Sequence, residues 1–185
     1  MFNLTQIDSS WTLFLDRDGV INHEMEGTYV RNWEEFVFYP HAPELIAFFN
    51  KRFQRLILVT NQRGVSKGIM SLADLEQIHE NMIRDIESAG GKIDRIYYCL
   101  DGEISSPCRK PNPGMALQAA LDFPDIDLKK SLMIGNNISD MMFGRNAGMK
   151  TIFLQTTNPG QRLPHEAVDL HFINLAEFAA ALEKS

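Results

Sequence analysis

Four groups of polar residues in this sequence each follow a short apolar run. The first run is followed by two carboxylates, Asp16 and Asp18, with one residue between them. The three later groups contain Thr60, Lys110 and Asn136. Carboxylate and carbonyl oxygens are ligands that Mg²⁺ accepts. A lysine ammonium and a hydroxyl can neutralise the oxygens of a phosphoryl group. These residue types therefore indicate a site for a divalent cation and a phosphate.

The two aspartates could also take part in covalent chemistry. A carboxylate can be the nucleophile that accepts a phosphoryl group, which gives an aspartyl-phosphate. Because Asp16 and Asp18 leave a strand end in a turn, they can face one ligand from two sides, one attacking and the other exchanging protons with the leaving group. The alternative is a simple turn, since Asp18-Gly19 is ordinary turn chemistry. The three other groups favour the chemical interpretation.

Purely structural roles stay open for three further residues. Lys110 could be a solvated loop charge, and Thr60 could simply end a strand. Asp140 could be a carboxylate in the first turn of a helix, where the helix dipole stabilises it. None of the five histidines falls in one of the four groups, and we expect them on the surface or in packing contacts.

Alternating strand and helix patterns predict the elements that position these groups. Predicted strands cover residues 12–15, 55–60, 93–99, 132–135 and 151–154, and predicted helices cover 43–49, 71–89, 114–123, 139–147 and 175–183. This alternation is typical of an α/β fold, with a parallel sheet between two layers of helices. Right-handed crossovers bring the carboxyl ends of the strands to one edge, where ligands bind. We therefore expect the four groups to converge.

Length and composition fit one domain over residues 1–185, since 44% of the chain is hydrophobic and no repeat or linker interrupts it. The formal charge of −6 gives no footprint for a nucleic-acid backbone. The longest apolar runs are far too short to span a membrane, and we see no secretory signal. Two cysteines, Cys99 and Cys108, are too few for a disulfide scaffold, so we expect free thiols and a cytoplasmic protein.

The four groups match, in order, the motifs of a known superfamily. They read DRDGVIN over residues 16–22, VTNQRG over 59–64, CRKPNPGM over 108–115 and IGNNISD over 134–140. They resemble the haloacid dehalogenase superfamily of phosphohydrolases, and within it the small histidinol-phosphatase and D-glycero-D-manno-heptose 1,7-bisphosphate phosphatase branch. This resemblance implies a three-layer α/β/α, Rossmann-like core with no large cap domain. Only residues 22–39 are long enough to form a flap over the site.

The resemblance also implies roles for individual residues. Asp16 is expected to be the nucleophile, and Asp18 is expected to protonate the leaving alkoxide and then to activate water. The residues expected to bind phosphate or substrate are Thr60, Asn61, Arg109 and Lys110. The implied cofactor is Mg²⁺, which would be held by Asp16, the Asp18 carbonyl and Asn136, with Asp140 in support.

Three departures from the branch are visible in the sequence. The branch carries a structural zinc on a Cys-x-His pair and a Cys-x-Cys pair, but only Cys99, Asp101 and Cys108 remain here, so we do not expect zinc. Asn136 stands where the branch has an acid, and a neutral amide should bind Mg²⁺ more weakly. Asn137 replaces a basic residue expected in heptose phosphatases.

The expected function is Mg²⁺-dependent hydrolysis of a small phosphate monoester. The resemblance puts heptose 1,7-bisphosphate first, and histidinol phosphate is the alternative. A further alternative, of another class, is a catalytically impaired module that binds a phosphorylated metabolite or a partner, although the retained Asp16 and Asp18 argue against it. We expect a monomer whose partner is a small phosphorylated metabolite, with no nucleic acid and no membrane.

Overall fold

The strands of the central sheet all run parallel to their neighbours. The computed structural model describes residues 2–25 and 27–185, so Met1 and Glu26 lie outside the described residues. The strands are β1 (Thr12–Leu15), β2 (Arg55–Asn61), β3 (Arg95–Cys99), β4 (Ser131–Gly135), β5 (Lys150–Leu154) and β6 (Leu170–Phe172). Their order across the sheet is β3-β2-β1-β4-β5-β6. The chain adds β2 and β3 on one side of β1 and then β4, β5 and β6 on the other side, so the strand order switches between β1 and β4. Such a switch point is where open parallel sheets bind ligands.

Local sequence signals explain where several helices begin and end. The α-helices in the described residues are α1 (Ala42–Asn50), α2 (Leu72–Ser88), α3 (Gly114–Asp122), α4 (Ile138–Ala147) and α5 (Leu175–Glu183). Ser71 accepts a hydrogen bond from the Asp74 N–H at the start of α2, and Asn174 accepts one from the Glu177 N–H at the start of α5. Helix α4 is terminated by Gly148, which follows its last residue and whose φ of +86° is readily adopted by glycine.

Hydrophobic cores lie on both faces of the sheet. Leu13 and Leu15 pack into one core with α1, α2 and α5, whereas Phe14 packs into the other with α3 and α4. All four residues of β1 are buried, which explains its continuous apolar run. The expected three-layer α/β/α fold is confirmed. No helix in the described part of the chain has both the length and the apolar character needed to cross a membrane.

The strand predictions missed β6. This strand is three residues long, pairs with β5, and places the exposed His171 between its two apolar residues. It therefore has no apolar run for a local pattern to detect. Its position is fixed from outside the strand, because Asp169 accepts a hydrogen bond of 2.9 Å from the Thr151 N–H of β5.

Residues 22–39 lie in an arm between β1 and α1. This is the segment that was predicted to be long enough for a flap. Asn22 bridges to Phe38, and the Tyr39 N–H donates to the Ile21 carbonyl, so the two ends of the arm lie side by side. Trp33 packs against Phe36 and Phe38, with ring centroids 4.9 and 6.2 Å away. Glu26 is the one residue of the arm outside the described residues. Within those residues no larger insertion covers the sheet edge.

The expectation of two free thiols is wrong. Cys99 ends β3 and Cys108 lies in the loop that follows, and a disulfide joins them with Cα atoms 5.5 Å apart. The loop returns to the strand end over nine residues, an approach that the sequence does not reveal. The bond ties the loop that carries Lys110 to the sheet. Because the thiols are not free, the cysteines no longer support a cytoplasmic location. That location stays a prediction.

We expect the unfolded protein to show no reactive thiol before reduction and about two after it, because both cysteines of the chain lie in this disulfide. Titration with a thiol reagent in denaturant, with and without prior reduction, measures this. The variant Cys108→Ser is the control and should expose the thiol of Cys99 without reductant. Two reactive thiols in the unreduced wild type would contradict the pairing.

Candidate active site

Asp16 and Asp18 leave the carboxyl end of β1 and enter a cavity of about 530 Å³ at the sheet edge. The Asp16 N–H donates to the Ile134 carbonyl of β4 at 3.0 Å, which fixes the start of the turn. The other expected site residues that line this cavity are Thr60, Asn61, Arg109, Lys110 and Asp140. All four groups of polar residues are thus represented at one edge.

Lys110 is the central positive charge of the cavity floor. Its Nζ lies 2.8 Å from Asp16 Oδ1 and 2.7 Å from Asp140 Oδ1, and it donates to the Val59 carbonyl at 3.0 Å. Burial by itself would lower the pKa of this lysine, but the two carboxylates outweigh burial and raise it. Lys110 is therefore a permanent cation between two acids.

The acids around Lys110 carry more negative charge than the lysine can neutralise. Burial, together with the charges of Asp140 and Asp18, raises the pKa of Asp16 to about 7 against the opposing charge of Lys110. Two carboxylates thus share one ammonium group. A divalent cation beside Asp16 would relieve this excess and favour the ionised carboxylate.

Asp18 is held by donors on several sides. The Arg17 guanidinium approaches its carboxylate at 3.0 Å, and the side-chain amides of Asn22 and Gln62 each donate to it at 2.9 Å. Burial by itself would raise the pKa of Asp18, but the charge of Arg17 and these hydrogen bonds lower it. The carboxylate is therefore ionised at neutral pH and could accept a proton from water.

Sequence reasoning missed the contribution of Arg17 and His79. Arg17 is fully buried, and its Nη1 lies 3.2 Å from His79 Nε2 on α2. Burial, together with the charge of Arg17, lowers the pKa of His79 to about 3. A neutral His79 can accept a hydrogen bond from Arg17, so α2 supports Asp18 through that arginine. The sequence does show Arg17 between the two site aspartates and directly after a buried strand. This position could have indicated its role.

This histidine should make folding stability depend on pH. The pKa of His79 is about 3 in the fold and near 6.5 when unperturbed, so below pH 6.5 the unfolded state binds a proton that the folded state refuses. Its contribution to stability should fall as pH drops from 6.5 toward 3, with a slope approaching about 1.4 kcal/mol per pH unit. His79→Gln, which retains an acceptor for Arg17, should flatten this part of the curve.

Chemical denaturation of both proteins between about pH 7 and about pH 5 measures the difference. The carboxylates of the chain contribute equally to both curves, so the difference isolates residue 79. Identical slopes for wild type and His79→Gln would show that this histidine is not responsible.

Thr60 and Asn61 have different contacts although they are adjacent. The buried Thr60 hydroxyl accepts a hydrogen bond from Gln62 Nε2 at 2.9 Å, which leaves its own proton for a ligand in the cavity. Asn61 donates to the Lys110 carbonyl at 3.1 Å and accepts from the Lys110 N–H at 3.0 Å. The contacts of Asn61 therefore favour a role in positioning Lys110 over the expected phosphate contact.

Asp140 also holds Lys110. One of its carboxylate oxygens pairs with the lysine, and the other accepts the Asn137 N–H at 3.0 Å at the start of α4. Both oxygens are engaged, so the contacts favour this positioning role over the expected support of the metal. Asp140 therefore has both of the roles considered from the sequence, because one carboxylate oxygen accepts a bond at the start of α4 and the other pairs with Lys110.

Asn136 is fully buried and, unlike the other expected site residues, does not line the cavity. Its Nδ2 donates to Glu24 Oε2 at 3.0 Å and to the Thr157 hydroxyl at 2.6 Å. A Cβ added to Gly19, whose φ is +82°, would lie 2.1 Å from that Nδ2. The amide therefore packs directly beneath the turn that follows Asp18, and only glycine fits above it.

Three oxygens from the expected metal ligands have no hydrogen-bond donor among the described residues. They are Asp16 Oδ2, the Asp18 carbonyl and the buried Asn136 Oδ1. Leaving a buried polar atom without a partner costs about 1–3 kcal/mol, and a bound cation would satisfy it. The set consists of oxygen donors and includes one carboxylate, which suits Mg²⁺. The residues present therefore fit this ion.

The wall of the cavity carries further cations that sequence reasoning missed. Arg63 Nε donates to the Tyr29 hydroxyl at 2.7 Å, and Lys67 Nζ lies 5.5 Å from the centre of the Tyr29 ring. Arg109, which was expected, donates to the Asp101 carbonyl at 3.3 Å and lines the same cavity. Arg63 stands inside the second motif and could have been found there. Tyr29 lies on the arm, whose path the sequence does not give.

Comparison with known proteins agrees with this architecture. A family model described as HAD-hydrolase-like matches residues 107–175. The D-glycero-alpha-D-manno-heptose-1,7-bisphosphate 7-phosphatase of Mycobacterium tuberculosis is 34% identical over 173 residues, which cover 93% of this chain and 91% of the relative. The D-glycero-beta-D-manno-heptose-1,7-bisphosphate 7-phosphatase of Helicobacter pylori is 39% identical over 161 residues, which cover 86% and 90%.

A solved structure adds the same likeness at the level of the fold. The crystal structure of D,D-heptose 1,7-bisphosphate phosphatase from B. bronchiseptica, complexed with magnesium and phosphate, matches with a TM-score of 0.84 and 30% identity, and covers 94% of this chain and 98% of that chain. The sheet order and the four converging motifs define a phosphohydrolase of the haloacid dehalogenase type. The chain belongs to the family of these phosphatases that includes the heptose-bisphosphate 7-phosphatases, which confirms the resemblance seen in the sequence.

Proposed function

We propose that this protein is a Mg²⁺-dependent phosphatase that removes the 7-phosphate of a D-glycero-D-manno-heptose 1,7-bisphosphate through an aspartyl-phosphate. The observation that carries the proposal is Lys110 held between Asp16 and Asp140 on the floor of an open cavity. A carboxylate beside a fixed cation is suited to accept a phosphoryl group from a phosphate ester. The names of the relatives support the choice of substrate.

In the first step Asp16 is the nucleophile. One oxygen of its carboxylate attacks phosphorus while the bond from phosphorus to the ester oxygen of the sugar breaks. The leaving alkoxide takes a proton from Asp18, which can itself receive that proton from a phosphate group bound as a monoanion. The products of this step are the heptose 1-phosphate, with a free 7-hydroxyl group, and the phosphoryl group on Asp16.

In the second step Asp18 is the base. Its carboxylate, ionised again, accepts a proton from a water molecule as that water attacks the phosphorus of the aspartyl-phosphate. The bond between phosphorus and Asp16 breaks, which releases inorganic phosphate and restores the carboxylate. The bonds from Arg17, Asn22 and Gln62 keep Asp18 in place for both transfers.

The remaining residues bind or position the phosphoryl group. Lys110 and the Thr60 hydroxyl are placed to contact its oxygens, and Asn61 and Asp140 hold Lys110. Mg²⁺ would be held by the Asp16 carboxylate, the Asp18 carbonyl and the Asn136 amide oxygen. Bound there, it would neutralise charge on the phosphoryl oxygens.

The cations on the cavity wall support a substrate with two phosphates. With one phosphate at Asp16, a phosphate at the far end of the sugar would face Arg63, Lys67 and Arg109. Arginine binds phosphate through two parallel hydrogen bonds, which makes such a wall selective for it. The same cations would repel the ammonium group of histidinol phosphate, so that alternative is not favoured.

Several finer expectations stay predictions. They are one domain over residues 1–185, a monomeric chain, a cytoplasmic location, no bound zinc, and no nucleic-acid or membrane partner.

Asp16→Asn should abolish turnover and leave the fold intact, because an amide cannot accept the phosphoryl group. Loss of a nucleophile reduces kcat by roughly 10⁴- to 10⁶-fold. Phosphate release from heptose 1,7-bisphosphate measures the loss, and circular dichroism with thermal unfolding controls for folding. Turnover above a few per cent of wild type in a folded variant would exclude this nucleophile. A wild type without turnover in Mg²⁺ would instead favour the impaired binding module.

Arg63→Gln should raise KM for heptose 1,7-bisphosphate about tenfold, which corresponds to roughly 1.4 kcal/mol for one lost charge-assisted contact. KM for heptose 7-phosphate, which lacks the second phosphate, should change less than about twofold. The matched control is Arg84→Gln, since that arginine is exposed on α2. Equal effects of Arg63→Gln on both substrates would show that Arg63 does not bind the second phosphate.

A further inference from the structure

We propose that Glu24 supplies the negative charge that Asn136 lacks and orients its amide so that Oδ1 is left for the proposed Mg²⁺. Glu24 is then a positioning residue, and the two side chains form an acid–amide pair that does the work of a single acidic ligand. The inference rests on the proposed function, because it concerns the metal of that site.

The orientation of the Asn136 amide follows from its neighbours. A carboxylate offers only acceptors, so the group that faces Glu24 Oε2 at 3.0 Å must be the donor Nδ2. The Thr157 hydroxyl accepts a second bond from the same nitrogen. Rotating the amide would place Oδ1 against the carboxylate and replace attraction by repulsion. Glu24 therefore keeps Oδ1 on the other side, where it has no partner among the described residues.

Glu24 differs from the nearby carboxylates because no cationic side chain of the described residues pairs with it. Arg17 neutralises Asp18, and Lys110 pairs with Asp140. Within the described part of the chain, Glu24 has no ion pair, and it lines the cavity. It lies one hydrogen bond behind a proposed ligand oxygen, so its charge polarises the amide and acts on the cation from the second layer of contacts.

This arrangement changes what a simple exchange of ligands should do. Asn136→Asp adds the missing charge to the ligand, but it also places two carboxylates face to face beneath the Gly19 turn. Repulsion between them should offset the gain. Only the exchanged pair, Glu24→Gln with Asn136→Asp, keeps both one negative charge and one donor–acceptor contact.

The test is calorimetric titration of Mg²⁺ into protein with a fixed concentration of inorganic phosphate, which reports binding without turnover. Glu24→Gln should weaken Mg²⁺ binding about tenfold, the size expected for a partner of a metal ligand. The exchanged double variant should bind Mg²⁺ at least as tightly as either single variant and within about threefold of wild type. Glu76→Gln removes one exposed charge on α2 and is the matched control, with no change expected.

Unchanged Mg²⁺ affinity in Glu24→Gln would overturn the inference and leave the proposed metal site standing. A double variant as weak as Glu24→Gln would also overturn it, because charge would then not be exchangeable between the two positions. A wild type that binds no Mg²⁺ would overturn the metal site and this inference together. If the variants with Asp at position 136 do not fold, Glu24→Gln with its control decides alone.

Discussion

A lysine buried between two carboxylates is the interaction on which this site depends. Lys110, Asp16 and Asp140 are each at least nine-tenths buried, and each would be costly to ionise alone. Buried ion pairs contribute little net stability, but removing Lys110 would leave two buried carboxylates without their cation, which is strongly destabilising. Both acids therefore depend on the lysine. The two carboxylates and one ammonium group carry a net negative charge, which would attract a divalent cation.

The triad can form only when the sheet is in register. Asp16 follows β1, Asp140 lies on α4 after β4, and Lys110 lies on the loop after β3, so three separate connections must end at one point. The pairing of Leu15 with Ile134 sets β1 against β4, and a slip by one residue would turn the side chains to the opposite face. The disulfide and the Asn61 contact then hold the loop. The strand pairing that specifies the fold therefore also positions the three charged side chains of the site.

Much of the fold could be predicted because β1, β2, β4 and β5 are buried on both faces and appear in the sequence as apolar runs. The residues at the ends of those runs could be predicted for the same reason, since parallel strands put them on one edge. The short edge strand β6, the disulfide and the path of the arm could not, because each depends on contacts that no local sequence pattern specifies. Asn61 and Asp140 were found as site residues, but their contacts with Lys110 need side-chain geometry that spacing does not supply. Glu24 and His79 act through partners on other elements, so no local pattern marks them.

The arm contributes one part of the cavity wall, apart from the strand ends that carry the reacting groups. Glu24 and Tyr29 stand on a segment braced by the aromatic rings of Trp33, Phe36 and Phe38, and no hinged domain has to open over the cavity in the described residues. Exchange of substrate and product therefore need not wait for a slow rearrangement of domains. A lineage could change the shape of the cavity wall by substitutions around Tyr29 on the arm, while the strand ends that carry out the reaction, and the cores beneath them, remain as they are.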